Sequence, residues 1–255
     1  VVLCLAFAYM TVAALLLVEL SAAQPGANLS AMALEALGEK GRGLCVGLYY
    51  LIYLATLTAY VAESGHFLAA LLQENLGFAV PSALLSLFFT AWLSLAVCAG
   101  TKETEAVNRA CLLVALAAYA LLLTWGLGGL QGDRLRRGSW AEAGPTLPLC
   151  VVAFTYHNLV PSLVGYLGSP RLAARAIALG GSVPLVMYVL WEAVILGSLP
   201  PESRVSSAQE VVRLLKDWLG TRAGAVVQLF SLFSIATSFL GVGLGCLDFM
   251  RDLLF

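Results

Sequence analysis

Residues 146–167, T-L-P-L-C-V-V-A-F-T-Y-H-N-L-V-P-S-L-V-G-Y-L, restrict the fold more than any other stretch of the chain. The run is apolar and long enough to cross a bilayer, because about 20 residues at ~1.5 Å each span the ~30 Å hydrocarbon core. Yet Thr155, Tyr156, His157, Asn158 and Ser162 lie near its middle, with Pro161 among them. Proline has no N–H to donate, so the carbonyl of His157, four residues earlier, loses its helical partner. In lipid an unpaired carbonyl costs several kcal/mol unless protein, water or a ligand satisfies it. The helix is therefore predicted to unwind around residues 155–160, with Phe154 and Tyr156 turned to the bundle interior. Two readings fit. A polar cluster at a mid-membrane helix break is how secondary transporters build substrate sites; the alternative is a proline-kinked structural helix whose polar groups pair with neighbouring helices.

Six further apolar runs accompany it, at about 1–23, 44–72, 79–99, 107–130, 176–199 and 222–246. They are Leu/Ala/Val-rich and lack strict alternation, so membrane helices fit and barrel strands do not. Charged residues make up only 11% of the chain, against roughly 25% in soluble domains. The expected class is an all-α, polytopic transmembrane bundle with seven spans. A net charge of −1 argues against nucleic acid as a partner. Cys4, Cys45, Cys98, Cys111, Cys150 and Cys246 lie in or beside apolar runs with no C-x-x-C pair, so they read as small core residues, not a disulfide framework or metal site. No cofactor is implied.

The chain starts at Val1 inside an apolar run and ends at Phe255, with no basic n-region before residues 1–18. That reads as a piece of a longer protein, a single transmembrane domain over 1–255 truncated at both ends. The stretch 24–43 is rich in Gly and Pro and is predicted to be a loop; Asn28-Leu29-Ser30 within it is a glycosylation sequon by pattern. Span two carries Tyr49, Tyr50, Tyr53 and Tyr60, then Glu63-Ser64-Gly65-His66. Glu63 and His66 fit either the membrane edge or an interior role. Residues 100–105 read as a connector, and 126–144 as a loop.

Pro184 is expected to kink span six, and Glu192 lies on the same run, eight residues before Pro200. A carboxylate on a membrane helix is costly and so a functional candidate, unless it sits at the membrane edge. In the polar stretch 200–221, Ser206 with Gln209 and Ser207 with Glu210 fit capping boxes. Val211, Leu214, Leu215 and Trp218 follow at helical spacing, which predicts a short amphipathic helix. Span seven offers Thr237 and Ser238 deep in the membrane, and Gly241 with Gly245 as a small-xxx-small packing face. Such hydroxyls also commonly bond a backbone carbonyl one turn back.

Lysines and arginines divide evenly, seven in loops after odd spans and seven after even ones. Charges in the odd loops lie closer to the helix ends, which leans towards odd loops on the cytoplasmic side.

Three motifs together resemble the aromatic amino acid permeases, the tryptophan/tyrosine-specific transporters. F-T-Y-H-N-L-V-P-S-L at 154–163 is similar to that family's F-x-x-H-x-x-x-P-S-L element. V-P-L-V-M-Y-V-L-W-E-A-V-I-L-G-S-L-P at 183–200 looks like the helix that follows, and A-T-S-F-L-G-V-G-L-G-C-L-D-F at 236–249 like a later one. V-N-R at 107–109 also fits. The resemblance implies a partial leucine-transporter fold, built from inverted five-helix repeats with helices one and six broken. The spans here would be family helices two to eight, with 146–167 the broken helix six and odd loops inside. The Gly-rich first helix and the helices after the eighth are missing from the correspondence. Glu192 stands where many relatives carry an uncharged polar residue.

The resemblance implies a symporter that moves tryptophan or tyrosine across a plasma, inner or organelle membrane, driven by protons. The substrate would meet Phe154, Thr155, Tyr156, His157, Asn158 and Ser162, with Tyr60, Thr237 and Ser238 across the site. Glu63, Glu192 and His157 are the proton-coupling candidates. Sodium coupling or broader specificity is the alternative, since a Thr-Ser pair can ligate sodium in other branches of that fold. A seven-helix receptor predicts Asp/Glu-Arg-Tyr after span three and Asn-Pro-x-x-Tyr in span seven; neither occurs. An enzyme is not expected, because no H-E-x-x-H, G-x-S-x-G or paired-aspartate metal motif is present.

Overall fold

The computed structural model describes residues 1–135, 140, 143–198 and 208–254. The described residues form α1 (Val2–Ala23), α2 (Leu29–Leu76), α3 (Ser82–Ala99), α4 (Thr101–Leu127), α5 (Gly132–Leu135), α6 (Ala143–Val152), α7 (Val160–Leu167), α8 (Pro170–Ser198), α9 (Ala208–Leu219) and α10 (Thr221–Leu254). A short 3-10 turn, His157–Leu159, joins α6 to α7. Among the described residues, seven segments are long and apolar enough to cross a membrane, with Ala143–Leu167 counted as one. The chain is an all-α, multi-pass membrane protein. It divides into two compact units, residues 1–49 with 131–197 and residues 50–130 with 198–255.

In the first unit, α1 buries Ala6, Met10, Ala14 and Val18, one residue per turn along a single face. α6 and α7 pack on that face. Ala14 and Val18 form a core with Val160 and Val164 of α7 and with Ala173 and Ile177 of α8. The other side of α1 exposes Leu5, Tyr9, Val12 and Leu16. An outward face this apolar suits hydrocarbon, not water.

The second unit is organised around α10, which packs against α3, α4 and α9. Its core joins Phe89, Leu93 and Val97 of α3 and Cys111 of α4 to Ala236, Phe239 and Leu240 of α10. The Phe89 and Phe239 rings meet edge to face at 6.2 Å. α9 is the predicted amphipathic helix, with Val212 and Leu215 buried and Val211, Leu214 and Trp218 partly covered. The predicted caps Ser206 and Ser207 lie outside the described residues.

Within Glu63-Ser64-Gly65-His66, Ser64 and Gly65 serve packing. Ser64 is fully buried and its hydroxyl donates to the Val61 carbonyl at 2.8 Å. Gly65 is pressed against the start of α3, where a Cβ would lie 2.0 Å from Ser86 Oγ and 2.4 Å from the Ser82 carbonyl oxygen. His66 is exposed.

Three expectations change. The stretch 24–43 is mostly helix: Asn28 Oδ1 accepts the Ala31 N–H at 2.9 Å and so caps α2. Its glycine content breaks α2 only at Gly38, where φ is +71°. Residues 100–105 shrink to a one-residue turn at Gly100, φ +129°. The Thr104 hydroxyl lies 3.0 Å from the Ala96 carbonyl and 2.8 Å from that of Gly100, closing the end of α3. On α10, Gly241 faces open space, and Gly243 is set against Val97 of α3. The helix α8 remains a single element through Pro184.

Candidate functional site

The interruption between α6 and α7 has a defined hydrogen-bond pattern. Ala153 N–H makes the last α-type bond, to the Leu149 carbonyl at 3.0 Å. Phe154 and Thr155 then bond three residues back, to Val151 and Val152, both at 3.1 Å, which tightens and ends the helix. Leu159 N–H reaches the Tyr156 carbonyl at 3.1 Å, and Val160 N–H the His157 carbonyl, in the 3-10 turn. Among the described residues, no backbone amide reaches the carbonyls of Ala153, Phe154 or Thr155.

This corrects the origin assigned to the break. The His157 carbonyl is served by Val160, and Pro161 lies in the first turn of α7, where a missing N–H costs nothing. Pro161 therefore helps start α7, and the open carbonyls lie just upstream. Pro161→Ala is accordingly expected to leave residues 153–156 unwound. Disulfide trapping or spin-label distances across 150–164 in the full-length protein would check this, and a continuous helix would contradict it.

Phe154 and Tyr156 turn inward within the first unit, as the sequence predicts. Phe154 is 2% exposed, with Phe7 and Tyr188 rings edge-on at 5.3 and 5.8 Å. Tyr156 packs against the α1 core, its hydroxyl 3.5 Å from Thr11 Oγ1. Its ring stacks on His157 at 5.4 Å. His157 Nε2 lies 3.1 Å from the Met10 carbonyl oxygen, so the Nε2–H tautomer donates to it. Asn158 is partly buried, while Thr155 and Ser162 are exposed. The Thr155 hydroxyl lies 3.4 Å from the Val151 carbonyl, the local bond that membrane hydroxyls often make. Glu192 is exposed on α8.

Residues that the sequence alone did not single out complete this arrangement. Phe7, Met10 and Thr11 come from α1, and Tyr188 from α8. At Gly181 of α8 a Cβ would lie 3.2 Å from Phe7 and 3.5 Å from the Tyr156 hydroxyl, so the glycine makes room for both. The visible clue was Thr11, a hydroxyl in the middle of an apolar helix.

The remaining expected residues belong to the second unit. Tyr60 packs against the α3–α10 core. Glu63 is partly buried on α2. Thr237 and Ser238 are partly buried on α10, and the Thr237 hydroxyl donates to the Ser234 carbonyl at 2.9 Å. That bond uses its proton and leaves its oxygen able to accept. Among the described residues, no group of three or more His, Cys, Asp or Glu could hold a metal ion.

Comparison with known proteins returns one consistent picture. The model of the tryptophan/tyrosine permease family matches residues 1–255. The tyrosine-specific transport system 1 of Haemophilus influenzae is 30% identical over 259 residues, covering 97% of this chain and 64% of that protein. The tryptophan-specific transport protein of Pseudomonas aeruginosa is 29% identical, over 89% of this chain and 58% of its own length. The low affinity tryptophan permease of Escherichia coli is 26% identical, over 80% and 53%. The chain thus spans between 53% and 64% of the length of these relatives. No solved structure matches.

Proposed function

The chain belongs to the tryptophan/tyrosine permease family, and from that premise we propose that it works within a proton-driven symporter for tryptophan or tyrosine. The observation that carries the reading is the break at 153–159, which opens three adjacent carbonyls beside Tyr156 and His157. Open carbonyls at a helix break attract a cation, so they suit the ammonium of an amino acid. Phe154, Tyr156, Thr155, Asn158 and Ser162 would line the same substrate. The inverted-repeat architecture and a bacterial inner-membrane location belong to the same proposal, given relatives from bacteria.

Reconstituted full-length protein tests the reading directly. An inward-directed proton gradient should drive accumulation of labelled tryptophan or tyrosine in proteoliposomes, and a sodium gradient alone should not. Accumulation with sodium only would transfer the coupling to that ion, and no accumulation under either gradient would reject transport.

Proton coupling makes a second expectation. Glu192 and Glu63 are carboxylates on membrane helices, where a charge is costly and a functional role is the natural reading. Glu192→Gln keeps the shape and removes the charge, so it should lose proton-driven accumulation while retaining substrate exchange. Unchanged accumulation at every pH would remove Glu192 from the coupling route.

Orientation follows from the same reading, with odd loops cytoplasmic. Asn28 should then remain without glycan in a eukaryotic host, and a sequon engineered at 200–210 should be modified. Glycan on Asn28 of the intact protein would invert the assignment.

A further inference from the structure

The second unit contains a cavity of about 370 Å³ that the proposed transport site does not use. Its walls combine apolar Phe67, Ala70 and Val212 with charged Glu74, Arg213 and Lys216. This volume falls in the range of small-molecule pockets. The charges are ordered by a buried amide. Gln228, 2% exposed, donates from Nε2 to Glu74 Oε2 at 3.3 Å, and Lys216 Nζ reaches the same oxygen at 2.9 Å. Turning the amide over would set its oxygen against the carboxylate, so the donating orientation is fixed.

Two groups are left to meet a ligand. Glu74 Oε2 takes both internal bonds, which leaves Oε1 for a further donor. Arg213 is exposed and makes no ion pair among the described residues. A free carboxylate oxygen and a guanidinium, beside an apolar wall with an aromatic ring, match a molecule with an ammonium, a carboxylate and an apolar side chain.

We propose that this cavity is a second amino acid binding site, taking the ammonium on Glu74, the carboxylate on Arg213 and the side chain against Phe67, Ala70 and Val212. It rests on the reading of the chain as part of an amino acid transporter. The charge pattern selects zwitterions over amines or acids alone, because either single charge would leave one wall group without its partner.

Equilibrium binding of labelled tryptophan to the full-length protein provides the test. Wild type should show two classes of site. Arg213→Gln should weaken one class tenfold or more, about 1.4 kcal/mol, and leave the other unchanged. Ala70→Phe, which fills the cavity without altering charge, should remove the same class. Tryptamine, lacking the carboxylate, should compete at that class at least tenfold less well than tryptophan. A single class of site in wild type, untouched by both substitutions, would overturn the second site while leaving transport intact. Absence of any tryptophan binding would overturn both readings together.

Discussion

Phe154→Ala should be among the most damaging single substitutions in the first unit, lowering the thermal midpoint and abolishing uptake of every substrate. The ring is 2% exposed and held edge-on by Phe7 and Tyr188. Removing a buried ring leaves a cavity and costs about 3–5 kcal/mol, of which each aromatic pair contributes about 0.5–1.5 kcal/mol. Phe154→Leu separates packing from recognition. It refills most of the volume, so the fold should return, while affinity for aromatic substrates should fall by about 1 kcal/mol and small aliphatic ones should be spared. Wild-type affinity for aromatic substrates in a folded leucine variant would confine Phe154 to packing. An unchanged thermal midpoint in the alanine variant would contradict its burial between α1 and α8.

Gly65→Ala should be the corresponding lesion in the second unit, though it adds a single methyl group. The new carbon would meet Ser86 Oγ at 2.0 Å and the Ser82 carbonyl oxygen at 2.4 Å. Ser86 can rotate aside, but the carbonyl belongs to the backbone at the start of α3. α2 and α3 must therefore part, and overpacking of this kind costs about 1–3 kcal/mol. Thermal melting in detergent and yield of folded protein would report it. The double variant Gly65→Ala/Ser86→Ala sharpens the test, because it removes the hydroxyl clash and keeps the carbonyl one. It should remain destabilised relative to Ser86→Ala alone; equality of the two would show that the helices do not approach so closely.

Much of this was legible in the sequence because membrane helices declare themselves by length and apolarity. The spans other than the second, which begins at Leu29 and not near 44, were readable within several residues, and the break near residue 155 was signalled by polar residues clustered inside an apolar run. What local pattern could not supply was the bonding inside that break. Pro161 drew the eye because proline always removes a donor, yet it matters only where a donor would otherwise be used, and the first turn of α7 is not such a place. The stretch 24–43 misled for a related reason: glycine density suggests loop, but Gly38 alone takes positive φ within α2. The partners of Tyr156 were invisible because Thr11 and Gly181 are 145 and 25 residues away from it in the chain. Only packing brings them together.

The division of the chain also has a consequence for its biogenesis. Each unit is assembled from two separated stretches, so α1 leaves the ribosome well before α6 and α7, which will cover it, have been made. Some 120 residues separate the end of α1 from the start of α6, roughly 6–24 s at 5–20 residues per second. During that interval the stripe Ala6, Met10, Ala14, Val18 is without α6 and α7, the neighbours that cover it in the finished unit. A polar stripe would serve a finished interface equally well but would hinder release of α1 from the insertion machinery. The apolar character of this stripe thus suits α1 as a newly made segment as much as its final packing. Val18→Asn should accordingly impair insertion of the nascent protein before it alters the assembled one.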